Sequence, residues 1–170
     1  NREVNRRELY EKSMQLSCYI REAITTRNVS VWISQREGRA KDGNDRTQQG
    51  LLKMLGLCSD KTVVDSSKEL NIRPLALSYE YDPCDVFKIK ELVKTQAGEK
   101  HEKHEDEDLM NIVSGISRPK GRVHLSIGPL LDKELDAIDP ESPVNDQVKQ
   151  LAEIIDQQIH AQARLWPNNY

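Results

Sequence analysis

Four basic residues, Arg36, Arg39, Lys41 and Arg46, fall within eleven positions just after an apolar run, Val29 to Ile33. Glu37, Asp42 and Asp45 are interleaved with them, and Gly38 and Gly43 admit tight or left-handed backbone. Cationic side chains at this density suit an anion. Phosphate fits best, because a guanidinium offers it two parallel N–H donors. In open α/β sheets ligands sit beyond the carboxyl ends of strands, where loops carry chemistry without disturbing the core. The segment therefore reads as a phosphate-holding loop at a strand end. Its plain alternative is a solvated turn laced with ion pairs.

Arg36-Glu37-Gly38-Arg39 resembles the Glu-Gly-Thr-Arg-Ser block of the glycerolphosphate acyltransferases, enzymes that acylate glycerol-3-phosphate or its lysophospholipid product. Asn71 to Leu77 resembles that family's fourth block, a Pro leading into an apolar strand, and Gly121 to Leu130 resembles its closing strand and turn. Asn1-Arg2 matches the tail of the second block. The likeness runs from Asn1 to about Leu131 and is nearest to a bacterial branch of acyltransferases. It implies that Arg39 holds the acceptor phosphate, Glu37 organises the loop and Gly38 allows close backbone approach. Arg2, Arg36 and Lys41 are second-rank phosphate contacts. This chain reads Arg39-Ala40-Lys41 where the family has Thr-Arg-Ser, which places the Arg one position early.

The family's first block, His-x-x-x-x-Asp, supplies the general base and the carboxylate that orients it. It should precede the second block, so the resemblance implies no catalytic residue in this chain and a base upstream of Asn1. His101 and Asp106 match the pattern formally, but they follow the loop and lie in the charged run Glu99 to Asp108, which reads as a solvated segment. His101 and His104 also have i,i+3 spacing, yet no Cys or distant His completes a metal site. The acyl donor is a thioester on acyl carrier protein or coenzyme A. Because it is already activated, no metal or redox cofactor is expected.

A length of 170 residues, 31% charged and 36% hydrophobic, supports one domain with a modest core. A net charge of −3 gives no broad basic field for nucleic acid. No apolar run approaches the ~18 residues of a membrane span, and no signal-peptide pattern opens the chain. These features predict a cytoplasmic protein with at most peripheral contact to a membrane. The three cysteines, Cys18, Cys58 and Cys84, have no Cys-x-x-Cys pair and read as reduced thiols. Acidic neighbours in Asp82-Pro83-Cys84-Asp85 argue against a nucleophilic Cys84.

Periodicity predicts helices over Arg7–Thr26, from Thr47 to Gly56 behind an Asp45 cap, over Val64–Leu70, and over Asp85–Ala97 with Val86, Ile89 and Val93 inward. Leu109, Ile112, Val113 and Ile116 mark another. Ser142-Pro143 opens a last helix over 144–163 after a linker-like stretch, 136–143. Strands are predicted at Val29–Ser34 and Arg73–Tyr81, and at Arg122–Ile127 with Val123, Leu125 and Ile127 inward and His124 on the polar face. The expected fold is thus α/β, a mixed and mostly parallel sheet with helices on both faces, incomplete at the amino end. The chain is expected to be a single domain, which the resemblance implies is the carboxyl-terminal portion of an acyltransferase. The competing reading keeps the loop but lacks a base, as a non-catalytic phosphate- or phospholipid-binding module.

Overall fold

A computed structural model describes residues 5–36, 44, 46–98 and 106–169. In chain order it contains α1 (Arg6–Thr25), α2 (Gln49–Gly56), α3 (Val63–Glu69), β1 (Leu75–Tyr79), α4 (Asp85–Gln96), α5 (Glu107–Ser117), β2 (Val123–Ile127), α6 (Asp132–Leu135) and α7 (Val144–Gln162). The described residues form two compact units, one of residues 5–36, 46–74 and 127–161, the other of 75–98, 106–126 and 162–169 with Asn44.

The first unit is helical and owes its core to α7. Val148, Leu151, Ala152 and Ile155 recur at helical spacing and are all buried, against Leu52 of α2, Val64 of α3, and Leu131, Leu135 and Ile138. Ile138, inside the stretch that reads as a linker, is only 3% exposed, so that stretch contributes to the core. α1 buries Ser17, Ile20 and Ala23, while Leu9 and Leu16, which share the helix's apolar spacing, stay exposed. Ser17 Oγ donates to the Leu55 carbonyl and accepts from the Cys58 N–H, both at 3.1 Å. Beside it Cys18 and Cys58 form a disulfide, which corrects the expectation of free thiols there. That expectation rested on the lack of a Cys-x-x-Cys pair, but packing brings α1 alongside α2 and the two Cα atoms to 5.0 Å across 40 residues of sequence.

The second unit contains the sheet. Glu80 N–H donates to the Arg122 carbonyl and Tyr81 N–H to the Lys120 carbonyl, an antiparallel register. β1 and β2 are its two strands. The expectation of a mixed, mostly parallel sheet covered on both faces is therefore wrong; the described chain is mostly helical with one antiparallel pair. Val29–Ser34 forms no strand: its β-branched residues favour extended backbone locally, but a strand requires a hydrogen-bonded partner, and none exists among the described residues. Trp32 is 73% exposed.

Alternation in β2 is present with the opposite sense. Val123, Leu125 and Ile127 face solvent, whereas His124 and Ser126 are half-buried, and Ser126 Oγ lies 2.9 Å from Gln162 Oε1. The apolar faces of α4 and α5 are likewise exposed at Ile89, Val93, Ile112 and Ile116. Sequence periodicity locates an apolar stripe but not its cover, so the expected inward packing of these residues is corrected.

Two carboxylates are tuned by cations. A hydrogen bond from Lys61 holds Glu69 below the usual carboxylate range, and the Arg122 guanidinium and backbone N–H do the same for Glu80. A depressed folded-state pKa contributes stability above the unfolded value that is lost as pH falls through the folded one. Denaturation midpoints should therefore decline below about pH 4, and Glu69→Gln and Glu80→Gln should each flatten that acid limb slightly, because exposed pairs contribute little. An acid limb unchanged in both variants would contradict this.

Candidate functional site

Most of the charged segment, 37–43 and 45, lies outside the described residues, but the residues flanking it, Gln35 and Thr47–Gln48, are described. Its neck is closed by backbone and side-chain bonds. Gln48 N–H donates to the Gln35 carbonyl at 2.9 Å. Thr47, 7% exposed, donates both its backbone N–H (2.9 Å) and its hydroxyl (2.6 Å) to one oxygen, Asp156 Oδ1. Gln35 Oε1 lies 3.3 Å from the same hydroxyl. A hydroxyl has one hydrogen, and the shorter, charge-assisted bond to the carboxylate takes it.

Asp156 is 5% exposed. It follows Ile155 on α7 and sits four residues after Ala152 and eight after Val148, in line with the buried stripe. A carboxylate there is costly unless hydrogen-bonded, and among the described residues Thr47 supplies two bonds to it. Sequence reasoning missed Asp156, Thr47 and Gln35. The available signal was the acidic residue within the i, i+4, i+8 apolar series.

The chain matches no family model, no curated protein and no solved structure. Of the residues expected to hold phosphate, Arg36 is described and half-buried, one position beyond Gln35. Arg2, Glu37, Gly38, Arg39 and Lys41 lie outside the described residues, as do Asp45, the expected helix cap, and His101 and His104. Arg46 is exposed on the returning side of the neck, and α2 starts at Gln49, with Gln48 in the cap position.

Other expected chemistry is dispersed. His124 lies in β2 of the second unit, and His160 is exposed in the last turn of α7. Cys84 Sγ donates to the Asn111 carbonyl at 3.4 Å, a structural contact between the start of α4 and α5. Among the described residues no three His, Cys, Asp or Glu side chains converge as metal ligands would, and no helix is long and apolar enough to cross a membrane. The first unit also has an open groove of about 530 Å³ whose apolar lining includes Leu52, Leu55, Val63, Leu70, Ile72 and Leu151. Two of these belong to α2, the helix that begins at the neck.

Proposed function

We propose that the protein belongs to an acyltransferase that moves a fatty acyl group from a thioester, on acyl carrier protein or coenzyme A, to a hydroxyl of glycerol-3-phosphate or a lysophospholipid. In that reaction the acceptor's O–H proton passes to a general base. Its oxygen attacks the acyl carbon, the C–S bond breaks as the ester C–O bond forms, and the departing thiolate is protonated. Arg39 grips the acceptor phosphate, with Glu37 and Gly38 shaping the loop and Arg36, Lys41 and Arg2 adding positive charge. The base is a His upstream of Asn1.

The observation that carries this reading is the closed neck. Gln35 and Gln48 are joined by a hydrogen bond, so the segment with four basic residues departs and returns at one place. A loop that is to hold a phosphate needs such a base. Two further observations agree. Gly121–Leu130 contains one of the two strands that pair and Asn71–Leu77 overlaps the other; these are segments that carry the resemblance. The apolar groove in the first unit is of a character that suits an acyl chain. We place the reaction at the surface of lipid.

The test is acyl transfer to glycerol-3-phosphate by the product of the gene with its upstream residues included. Binding of glycerol-3-phosphate without turnover would leave the non-catalytic module instead. His101→Ala and His104→Ala should be nearly neutral in that assay. A loss above about a hundredfold without unfolding, the scale of a removed general base, would show that the catalytic base lies in the Glu99–Asp108 run.

A further inference from the structure

Gly128 N–H donates to the Pro74 carbonyl at 2.8 Å and Glu80 N–H to the Arg122 carbonyl at 2.9 Å, one at each end of the β1–β2 pair. Bonded and non-bonded pairs alternate along an antiparallel ladder, so this register makes Ala76–Ser126 and Ser78–His124 the bonded ones. The backbone N–H and C=O groups of Val123, Leu125 and Ile127 therefore point away from β1, to an edge that no other described strand occupies. Their side chains are 52%, 53% and 64% exposed. The outer edge of β1 is less open, with Leu75 and Tyr79 half-buried. The other face of the sheet is occupied: Ser126 Oγ donates to Gln162 Oε1 at 2.9 Å, and Ser78 Oγ accepts from the Arg164 N–H at 3.0 Å. It is the apolar side of β2 that is left uncovered.

Exposed edges are ordinarily guarded by charge, proline or a bulge. β2 contains no Lys, Arg, Asp, Glu or Pro, and the adjoining Arg122 is engaged by Glu80 through two bonds of 3.0 Å. A two-stranded ribbon is also marginal by itself, and added strands supply the cross-strand packing it lacks.

We propose that β2 pairs antiparallel with β2 of a second copy about a two-fold axis at Leu125, joining two ribbons into one sheet. The inference goes beyond the acyltransferase reading and does not depend on it. The strand is its own complement. With the axis at Leu125, that residue meets Leu125 of the second copy and Val123 meets Ile127, as bonded pairs, because all three turn their backbone groups outward. Each contact is apolar against apolar. The basic approach to the strand, Arg118, Lys120 and Arg122, is sent to opposite ends of the joint, with Arg122 facing Gly128 of the second copy. A parallel pairing would set those cations side by side, and like charges directly opposite are destabilising. A second copy in antiparallel register is thus the occupant that fits.

The experiment is sedimentation equilibrium on the full gene product across the micromolar range, where the wild type should show monomer and dimer. Leu125→Pro removes an outward N–H at a place where an edge strand tolerates proline. It should weaken the dimer by about thirtyfold, because the two-fold axis makes one substitution remove two bonds of ordinary net size. Leu125→Lys keeps every bond to β1 but sets ammonium against ammonium. Alone it should be monomeric, and mixing it with Leu125→Glu should restore a dimer.

Cross-linking reads the register. In a Cys84→Ser background Cys18 and Cys58 are bonded to each other. Leu125→Cys should then link to its own copy on mild oxidation, since the Cα atoms of a bonded pair lie about 5.5 Å apart, within disulfide reach. Val123→Cys should link only when mixed with Ile127→Cys. A wild type that stays monomeric throughout would overturn the proposal. So would a dimer that Leu125→Lys leaves intact, or one in which Val123→Cys links to itself as readily as Leu125→Cys, because another surface or register would then make it. The Lys and Cys variants keep the test decisive if Leu125→Pro unfolds.

Discussion

Reducing the Cys18–Cys58 disulfide should lower the stability of the first unit by about 4 kcal/mol, the loop-closure entropy expected for a cross-link spanning some 40 residues. The bond joins α1 to the residue just beyond α2, and Ser17 hydrogen-bonds the same turn. Without it α1 would be held to α2 only by these bonds and by modest apolar contact, since Leu9 and Leu16 are exposed. Urea denaturation with and without reductant measures the effect. The midpoint should fall with the slope little changed if the native surface is the same. Cys18→Ser/Cys58→Ser should reproduce the reduced curve and ignore reductant. A midpoint that does not move, together with three titratable thiols in the untreated protein, would show that the bond does not form. The same thiol count on rapidly quenched cells bears on location, because disulfides persist in oxidising compartments and are reduced in the cytosol.

Arg39→Ala should lower the specificity constant for glycerol-3-phosphate by 10- to about 150-fold, corresponding to roughly 1.5–3 kcal/mol for a charged hydrogen-bonded contact. The thioester donor should be little affected. If the guanidinium grips phosphate through two parallel N–H groups, Lys cannot replace the fork, and Arg39→Lys should be nearly as damaging as Arg39→Ala. Arg36→Ala should do less, because Arg36 sits at the neck and is half-buried there. Steady-state kinetics with acceptor and donor varied separately distinguish these outcomes. A silent Arg39→Ala beside an inactive Arg36→Ala or Lys41→Ala would keep the phosphate loop and shift its register. Three silent variants would reduce the loop to a charged turn.

Local signals in the sequence were legible where a single element decides its own form. α7 follows from an apolar series of helical spacing behind Ser142-Pro143, and α3 lies close to the predicted Val64–Leu70, although its Thr62 cap, whose hydroxyl accepts from Asp65 N–H at 3.1 Å, was not read. Gly56 ends α2 as expected. What periodicity cannot supply is the partner of each face. The Val29–Ile33 run has every local mark of a buried strand yet pairs with nothing described, and Val123, Leu125 and Ile127 show the right alternation toward solvent. Parallel pairing was inferred from helices alternating with strands, but β1 and β2 are antiparallel.

The site divides in the same way. Dense basic residues mark the loop from sequence alone, because charge density is local. The buried polar contact beside it is not local. Asp156 and Thr47 are far apart in the chain, and only packing of α7 against the start of α2 brings them to 2.6 Å. An acidic residue in an apolar stripe could have flagged the helix face; nothing in the sequence names the threonine it meets.

The acyltransferase reading stands or falls on transfer of an acyl group from a defined acyl thioester to glycerol-3-phosphate, followed by the appearance of the ester and free thiol in equal amounts. The gene product that includes the residues upstream of Asn1 should form both, and Arg39→Ala should suppress them at limiting acceptor while saturating acceptor recovers part of the rate. Absence of ester with either acyl carrier protein or coenzyme A thioesters, across glycerol-3-phosphate and lysophosphatidate, in a folded protein would contradict it.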